Sequence, residues 1–246
     1  MHPILFEIGP FRLYSYGLMF ALALLGATYL AGRNGGKFGV SPAFITDLSF
    51  RIIVSGIIGA RIFYAALNYR EFMDNPLEAF MFWRGGLVFY GGFICALFFG
   101  IRFIRKNKLS AYRVIDCIAP YAALGHSIGR IGCLLNGCCY GRPTTGWFGI
   151  TADVSAARVH PTQIYSSLGL LLIFLILRII QERPHKEGDI LLIYAMLYGS
   201  FRFIVEFLRG DTTAVFLSLS ISQVLSLVLV SVAFILYAKR RNAERI

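Results

Sequence analysis

The sequence has little charge, and acidic residues are its scarcest charged class. Charged residues make up 15% of the 246, with 13 Asp and Glu against 24 Lys and Arg. Apolar residues reach 57%, and the mean hydropathy is +0.66. This composition is more apolar than that of a soluble globular chain of similar length, so it predicts that the bilayer is the solvent.

The first eleven residues lack the basic segment that opens a cleavable signal peptide. Glu7 and Pro10 stand there instead, and the first apolar run continues past signal length. We therefore expect the first helix to be retained. The sequence also has no repeat, low-complexity tract or long linker that would separate domains, which predicts a single transmembrane domain over residues 1–246.

Seven mostly apolar runs of about 20 residues, the length that crosses a hydrocarbon core, recur along the chain. The second, fourth and sixth contain Arg or Asp, so a strict hydropathy criterion could reject them, although charged spans are typical of a functional bundle interior. The sequence predicts an all-α integral membrane protein with seven transmembrane helices. The predicted spans cover residues 13–32, 44–67, 86–104, 114–137, 161–180, 189–208 and 220–237.

Lysines and arginines concentrate in alternate loops between these spans. Because positively charged loops stay in the cytoplasm, this pattern predicts an N-terminus outside and a C-terminus in the cytoplasm. The same pattern explains the net charge of +11 better than nucleic-acid binding does, since the charges do not share one soluble face. Segments 68–85 and 138–160 would then form a small extracytoplasmic loop cap. The basic segments are 33–37, 102–113, 178–186 and 239–245.

Three arginines within the predicted spans share a depth near the outer leaflet. At about 1.5 Å per residue, Arg61, Arg130 and Arg202 lie within about 10 Å of the outer ends of their helices. They could be structural, neutralised by Glu206, Asp211 or backbone carbonyls, or could snorkel to the interface. Ionisable residues inside a membrane are costly and usually functional, however, and the Arg fork matches a phosphate. The cluster therefore predicts a site for an anionic phospholipid.

Helical spacing adds polar neighbours to these arginines, because residues three, four or seven apart share a face. Tyr16, Tyr90, His160 and Gln163 begin spans at the same side. Glycines after the fourth span are expected to bring backbone N–H groups up to a bound anion. The polar stripes are Arg61, Tyr64 and Asn68; His126, Arg130 and Cys133, followed by Asn136; and Tyr198, Arg202, Glu206 and Arg209.

Segment 129–141, GRIGCLLNGCCYG, resembles the signature of the bacterial prolipoprotein diacylglyceryl transferases, Gly-Arg-x-Gly-Asn-Phe-x-Asn-Gly-Glu-x-x-Gly. The resemblance covers nearly the whole chain. It implies transfer of a diacylglyceryl group from phosphatidylglycerol to the lipobox cysteine thiol of a prelipoprotein, without a cofactor. Glycerol phosphate would be released at the outer face of the bacterial plasma membrane. Further family blocks, in family order, are YGLM at 16–19, GARIFY at 59–64, GGLVFYGG at 85–92, RVHPTQIY at 158–165 and YGSFRFIVEFLR at 198–209.

Arg130 and Arg202 match the family's two essential arginines, whose implied role is to hold the phosphate and stabilise charge on the leaving group. The site predicted from the sequence has a catalytic and a substrate-binding set and no metal. The catalytic set is Arg130, Arg202, Tyr90, His126 and Glu206, and the substrate-binding set is Tyr16, Arg61, Tyr64, Asn136, Gly137, Gly141, His160, Gln163, Tyr198 and Arg209.

Three positions depart from the family pattern. Tyr90 stands where the family usually has a histidine, and a tyrosine with a reference pKa near 10 is a poor base at neutral pH. We hypothesise that His126, one turn before Arg130, supplies the base, although a hydrogen-bonded packing histidine is an equal alternative. Cys133 and Cys138 replace the usual Asn and Glu of the signature.

The cysteines of this segment leave several interpretations open. A disulfide, a metal site and a thiol nucleophile are all compatible with Cys133, Cys138 and Cys139 near an oxidising face. Adjacent cysteines without a second pair are weak evidence for a metal, and substitution for a polar network is the preferred interpretation. Cys95 and Cys117 are expected to be packing residues. Two further functions stay open, namely a family paralogue with another acceptor and a non-catalytic lipid-binding protein.

Overall fold

The computed structural model describes residues 2–8, 11–73, 75–81, 85–151, 158–210, 214–216 and 219–242. Asp211, considered above as a partner of the arginines, lies outside these residues. Parts of the proposed loop cap and of the basic C-terminal segment also lie outside them, namely residues 74, 82–84, 152–157 and 243–246.

Seven α-helices occupy the described residues, and each coincides with a predicted span to within a few residues. The prediction of a helical fold is thereby confirmed. The helices are α1 (Ser15–Gly35), α2 (Pro42–Leu67), α3 (Phe89–Lys106), α4 (Ala111–Leu135), α5 (Thr162–Gln181), α6 (Asp189–Glu206) and α7 (Ile221–Asn242). Three short 3₁₀ helices cover Gly36–Phe38, Tyr69–Phe72 and Pro76–Phe80.

The described residues also form three two-stranded antiparallel sheets that the all-α prediction did not include. One precedes α1 and two lie between helices, where the backbone has no helical hydrogen bonds and pairs with a neighbouring segment instead. The strand pairs are β1 (Ile4–Ile8) with β2 (Phe11–Tyr14), β3 (Ile150–Thr151) with β4 (Arg158–Val159), and β5 (Ala214–Phe216) with β6 (Leu219–Ser220).

Four helices are long and apolar enough to cross a membrane: α1 together with the 3₁₀ turn that follows it, α2, α5 and α7. As expected, α4 and α6 fail this criterion, whereas α2 meets it despite Arg51. The third helix fails as well, because Arg102, Arg105 and Lys106 stand at its C-terminal end. Many large apolar side chains are exposed, as lipid contact requires, among them Leu25. The count of seven spans stays a prediction.

Local chemistry explains where α2 begins. The Ser41 hydroxyl accepts a hydrogen bond from the Phe44 N–H at 3.2 Å, and Pro42 occupies the first turn. A side-chain cap satisfies an N–H that has no partner within the helix, and proline is tolerated there because it has no N–H to satisfy. The start of this helix is therefore readable from the sequence.

The chain divides into two compact units. Unit 1 comprises Met1–Leu30 and Ile115–Ile246, and unit 2 comprises Ala31–Val114. The core of unit 1 brings together α4, α5 and α6 through small and branched apolar residues. Its buried members are Ala119, Ala123, Ile173, Leu177 and Ile190.

Unit 2 is built on close packing of α2 against α3. A β-carbon at Gly59 would lie 2.7 Å from the Gly91 carbonyl oxygen, and one at Gly91 would lie 2.7 Å from the Gly59 carbonyl oxygen. Neither position can carry a side chain without separating the helices. Small residues of this kind allow membrane helices to approach closely.

The N-terminus of α6 is capped from a distant part of unit 1. The Asp116 carboxylate, which is almost fully buried on α4, accepts hydrogen bonds from the N–H groups of Gly188 and Leu191. A carboxylate at this position satisfies unpaired donors and complements the helix dipole. Asp116 therefore joins α4 to α6.

Candidate active site

A cavity of about 480 Å³ lies between α1 and α4 within unit 1. Its walls are apolar, and its polar groups are Tyr16, His126, Arg130 and Cys133. A concave, mostly apolar space with a few convergent polar groups is the usual form of a small-molecule site. The apolar lining is formed by Phe20, Ala23, Leu24, Ala27, Ala122, Gly125 and Gly129.

His126 and Arg130 line this cavity together, one turn apart on α4, as the helical spacing predicted. The imidazole packs against Tyr198 of α6, with ring centroids 5.7 Å apart. Tyr198 stands one turn before Arg202, so this contact places the part of α6 that carries Arg202 next to α4. The structure therefore brings together the predicted base and the two helices that carry the predicted phosphate ligands.

Glu206 is the centre of an ion-pair network at the end of α6. It is 2% exposed, and its Oε2 lies 2.6 Å from Arg202 Nη1 and 3.9 Å from Arg209 Nε. Both pairings were expected from the helical spacing and are confirmed. Two further contacts were not expected, because Ser220 Oγ donates to Glu206 Oε1 at 2.7 Å and Arg202 Nη2 donates to Ser222 Oγ at 3.2 Å. One carboxylate between two guanidinium groups leaves the network with a net positive charge.

The backbone N–H groups of Gly137, Cys138 and Gly141 are hydrogen-bonded within the protein, unlike the expectation that the glycines would turn them toward an anion. The Gly137 N–H donates to Leu134 O at 3.2 Å, and the Gly141 N–H donates to His160 O at 2.9 Å. The neighbouring Cys138 N–H donates to Cys133 O at 3.1 Å. These N–H groups already have hydrogen-bond acceptors within the protein. The two glycines instead allow the backbone to follow its path through the turn.

The geometry shows what each of these two glycines does. Gly137 has φ +74°, a left-handed conformation that favours glycine. At Gly141 a β-carbon would lie 2.5 Å from Leu208 O and 2.7 Å from His160 Cβ. Gly141 therefore allows the turn to pass between two segments, next to its bridge with Arg209.

The first residues of α5 hold the same turn. Gln163 is 1% exposed, and its Nε2 donates to Cys138 O at 2.6 Å, while Thr162 Oγ1 donates to Cys139 O at 2.6 Å. His160 lies just before this helix, with Nδ1 at 3.4 Å from the Tyr165 hydroxyl. Gln163 and His160 thus lie beside the turn, where their hydrogen bonds within the protein give them a positioning role.

Three thiols converge at this turn. The Sγ atoms of Cys133, Cys138 and Cys139 all lie within 4.8 Å of one another, and none is bridged. A hydrogen bond from the Cys133 thiol holds the pKa of Cys139 below its ordinary value, and the charges of Arg209 and Arg130 act in the same direction. Burial raises the pKa of the Cys138 thiol.

Arg61, Tyr64 and Tyr90 belong to unit 2. Arg61 is buried, and its guanidinium donates to the carbonyl oxygens of four residues at 2.6–3.1 Å. This arrangement corresponds to the structural alternative, in which backbone carbonyls neutralise the arginine. The four acceptors are Glu78, Ala79, Gly85 and Gly86.

The other polar residues of unit 2 that the sequence pointed to are Tyr64, Asn68 and Tyr90. The Arg61 guanidinium stands 5.4 Å from the centroid of the Tyr64 ring, and the Asn68 side chain donates to Tyr64 O at 3.0 Å. The polar stripe expected on α2 is therefore present, but the guanidinium group of its arginine is hydrogen-bonded to backbone carbonyl groups of the protein. Tyr90, in the first turn of α3, is 63% exposed.

Comparison with known proteins decides the family of the chain. The family model for prolipoprotein diacylglyceryl transferase matches residues 3–239. The chain belongs to the prolipoprotein diacylglyceryl transferase family. It is 35% identical over 232 residues to the phosphatidylglycerol–prolipoprotein diacylglyceryl transferase of Clostridium tetani, covering 92% of this chain and 93% of that protein.

Two other relatives extend the match. The phosphatidylglycerol–prolipoprotein diacylglyceryl transferase 2 of Clostridium perfringens is 34% identical over 243 residues, covering 96% of this chain and 94% of that protein. The Enterococcus faecalis phosphatidylglycerol–prolipoprotein diacylglyceryl transferase is 31% identical over 258 residues, with 98% and 92% covered. The family resemblance stated from the motifs is confirmed over nearly the whole chain.

Two of the residues that depart from the family pattern line the cavity. Cys133 is both a cavity residue and a member of the thiol group, and His126 lines the cavity one turn before the family arginine. Sequence reasoning missed Ser220 and Ser222 as partners of the ion pairs. Only the approach of α7 to α6 brings them there, although a polar pair at the start of an apolar span is a signal that could have indicated it.

Proposed function

We propose that the protein transfers a diacylglyceryl group from phosphatidylglycerol to the cysteine thiol of a prelipoprotein lipobox. The thiol sulfur attacks the carbon of the diacylglyceryl group that bears the phosphate. A carbon–sulfur bond forms as the bond between this carbon and the phosphate oxygen breaks. The electron pair leaves with the phosphate oxygen, so that the products are a thioether and glycerol phosphate. The names of the relatives, over nearly the full length of the chain, support this reaction.

The observation that carries the proposal is the shared environment of Arg130 and Arg202 beside the cavity. Both match the family's two essential arginines by motif. Arg130 lines the cavity with His126, and Arg202 follows by one turn the Tyr198 ring that packs against His126. Two guanidinium groups bind a phosphate through paired N–H donors and stabilise the negative charge that grows on the leaving oxygen. The apolar walls between α1 and α4 suit the acyl chains of the donor.

Glu206 acts in this proposal as a positioning residue. Its Oε2 lies 2.6 Å from Arg202 Nη1, which orients that guanidinium group, and 3.9 Å from Arg209 Nε, where the attraction is electrostatic. Fixed dipoles and charges stabilise a transition state without reorganising during the reaction. Arg209 then adds positive charge next to Arg130 and Arg202, the two arginines proposed to bind the phosphate.

His126 is the proposed general base, with Tyr90 as a substrate-orienting residue. The imidazole lines the cavity, whereas a tyrosine hydroxyl is a poor proton acceptor at neutral pH. The thiol proton would pass to His126 as sulfur attacks. Tyr16 and Tyr198, which lie near His126, are proposed to donate hydrogen bonds from their hydroxyl groups to the lipid headgroup.

The other predicted substrate residues receive more limited roles. Asn136 is exposed directly after α4 and is proposed to contact the headgroup or the acceptor. Gly137, Gly141, His160 and Gln163 shape the turn. Arg61 and Tyr64 are proposed to support the segment before α3.

We further propose a single transmembrane domain of seven spans in the bacterial plasma membrane, with the N-terminus outside, the C-terminus in the cytoplasm and the site toward the outer leaflet. The shorter helices α3 and α6, with 18 residues each, extend for about 27 Å, which approaches the hydrocarbon thickness.

Green fluorescent protein and alkaline phosphatase, each fused separately after residue 246, test the orientation. Fluorescence without phosphatase activity supports it, and the opposite pattern contradicts it.

Purified protein with phosphatidylglycerol and a lipobox peptide tests the function. A thioether-linked peptide and an equal amount of glycerol phosphate, both measured by mass spectrometry, are expected. Lipid consumption without this product would indicate a different acceptor, which the departures at Tyr90 and Cys133 favour as the second candidate. Lipid binding without consumption would indicate a non-catalytic protein.

Matched arginine variants sharpen this test. Arg130→Lys and Arg202→Lys keep the charge but lose the planar fork, and each is expected to reduce turnover by about 100-fold or more. Arg105→Lys, at the exposed end of α3, is the control and should leave turnover unchanged. Equal turnover in all three variants would exclude phosphate binding by the proposed pair.

A further inference from the structure

The thiol group of Cys133, Cys138 and Cys139 is not used by the proposed reaction. Cys133 lies in the last turn of α4, and the other two lie in the turn that follows. The three Sγ atoms lie within 4.8 Å of one another. In a tetrahedral site with metal–sulfur bonds of about 2.3 Å, the sulfur atoms are about 3.8 Å apart. Small side-chain rotations are therefore enough to bring all three onto one ion.

We propose that these three thiolates bind one zinc ion. Thiolate sulfur is a soft ligand that selects thiophilic ions such as Zn²⁺, and three protein ligands leave the fourth tetrahedral position for water or a substrate atom. Among the described residues, no His, Asp or Glu joins the group. On binding, the thiols release their protons to solvent, so the site becomes Zn²⁺ with three thiolates and a net charge of minus one.

The surroundings compensate this charge. Arg130 and Arg209 both act electrostatically on Cys139, so two positive charges stand within reach of the anionic zinc–thiolate group. A bare Zn²⁺ would be repelled by two arginines, whereas a zinc ion with three thiolates is attracted by them. The positive charges that favour binding of a phosphate therefore also favour the anionic zinc–thiolate complex.

The backbone of the turn is already organised for metal binding. Gln163 Nε2 and Thr162 Oγ1 hold the carbonyl oxygens of Cys138 and Cys139, both at 2.6 Å. Cys139 itself has φ +62°, which residues with a β-carbon rarely adopt. Because hydrogen bonds from Thr162 and Gln163 already hold this turn, we expect zinc to stiffen the turn at the polar end of the cavity rather than to fold the protein.

Metal analysis of the reduced, purified full chain tests the proposal. After incubation with Zn²⁺ and removal of unbound ion, one zinc per chain is expected by elemental mass spectrometry, with a rise in the thermal unfolding midpoint. Replacing Zn²⁺ by Cd²⁺ should produce the ultraviolet thiolate-to-cadmium charge-transfer band. Absence of stoichiometric metal and of this band would overturn the proposal.

Serine variants identify the ligands. Cys133→Ser, Cys138→Ser and Cys139→Ser should each lose the stoichiometric zinc and the cadmium band, whereas Cys95→Ser in unit 2 should keep both. Zinc retained by all three variants would overturn the assignment. Each substitution replaces a thiol by a hydroxyl group, and the unfolding midpoints of the metal-free proteins check that the variants fold. The measurement uses no lipid, so its outcome is independent of the proposed transferase activity.

Discussion

Arg202 Nη1 and Glu206 Oε2 lie 2.6 Å apart, one turn of α6 from each other, and the carboxylate is almost completely buried. This pair stands at the centre of the proposed site, because Arg209 approaches the same oxygen and Ser220 donates to the other. A buried carboxylate with these three neighbours positions the arginine rather than merely neutralising it.

Glu206→Gln should reduce both stability and turnover. The substitution leaves Arg202 and Arg209 without their common counter-charge, and breaking a buried ion pair costs about 3 kcal/mol. We expect a lower free energy of unfolding in mixed micelles and a fall in kcat larger than the rise in KM. The control Glu182→Gln removes an exposed partner of Arg178 and should change stability by about 0.5 kcal/mol or less. Unchanged turnover in Glu206→Gln would contradict the positioning role.

Arg61→Lys should destabilise the protein without acting on the phosphate. One ammonium group cannot replace a guanidinium that donates to four carbonyl groups, and unsatisfied buried acceptors cost about 1–3 kcal/mol each. We expect an unfolding free energy lower by about 3 kcal/mol, with KM for phosphatidylglycerol unchanged in the folded fraction. A specific increase in KM without loss of stability would instead return Arg61 to the substrate site.

His126→Asn and Tyr90→Phe separate the two candidates for the base. Loss of a general base reduces turnover by about 100-fold or more, so the histidine variant should show this loss and the tyrosine variant should retain most activity. Initial rates in the purified transfer assay give the comparison. Full activity of His126→Asn would exclude the base role and leave the packing role.

Gly141→Ala should be strongly destabilising. The added methyl group would meet Leu208 O at 2.5 Å and His160 Cβ at 2.7 Å, and overpacking of this kind costs about 1–3 kcal/mol. Gly26→Ala is the matched control, because nothing lies within 4 Å of its added carbon. Thermal unfolding in micelles should show a lower midpoint for the first variant only, and equal midpoints would contradict the close packing.

Much of the local structure followed from the sequence. Seven helices were predictable because runs of about 20 apolar residues leave the backbone no partner in lipid except itself. The pairing of Glu206 with Arg202 and Arg209 followed from helical spacing, and the family from motifs spread along the chain. The start of α2 was also readable, since Ser41 and Pro42 act within one turn.

Other features depended on residues far apart in the chain, and only the tertiary structure decided them. Asp116 caps α6 across more than seventy residues, and the Arg61 guanidinium is occupied by carbonyl groups of the segment before α3. Neither contact has a local pattern, because backbone carbonyls occur at every residue and carry no sequence signal. Near Cys133, Cys138 and Cys139, the positive φ of Gly137 is one that glycine favours, whereas the positive φ of Cys139 has no signal in the sequence. The sequence by itself therefore determined the helices, the family and the candidate arginines, whereas the tertiary structure decided which polar groups are already satisfied within the protein.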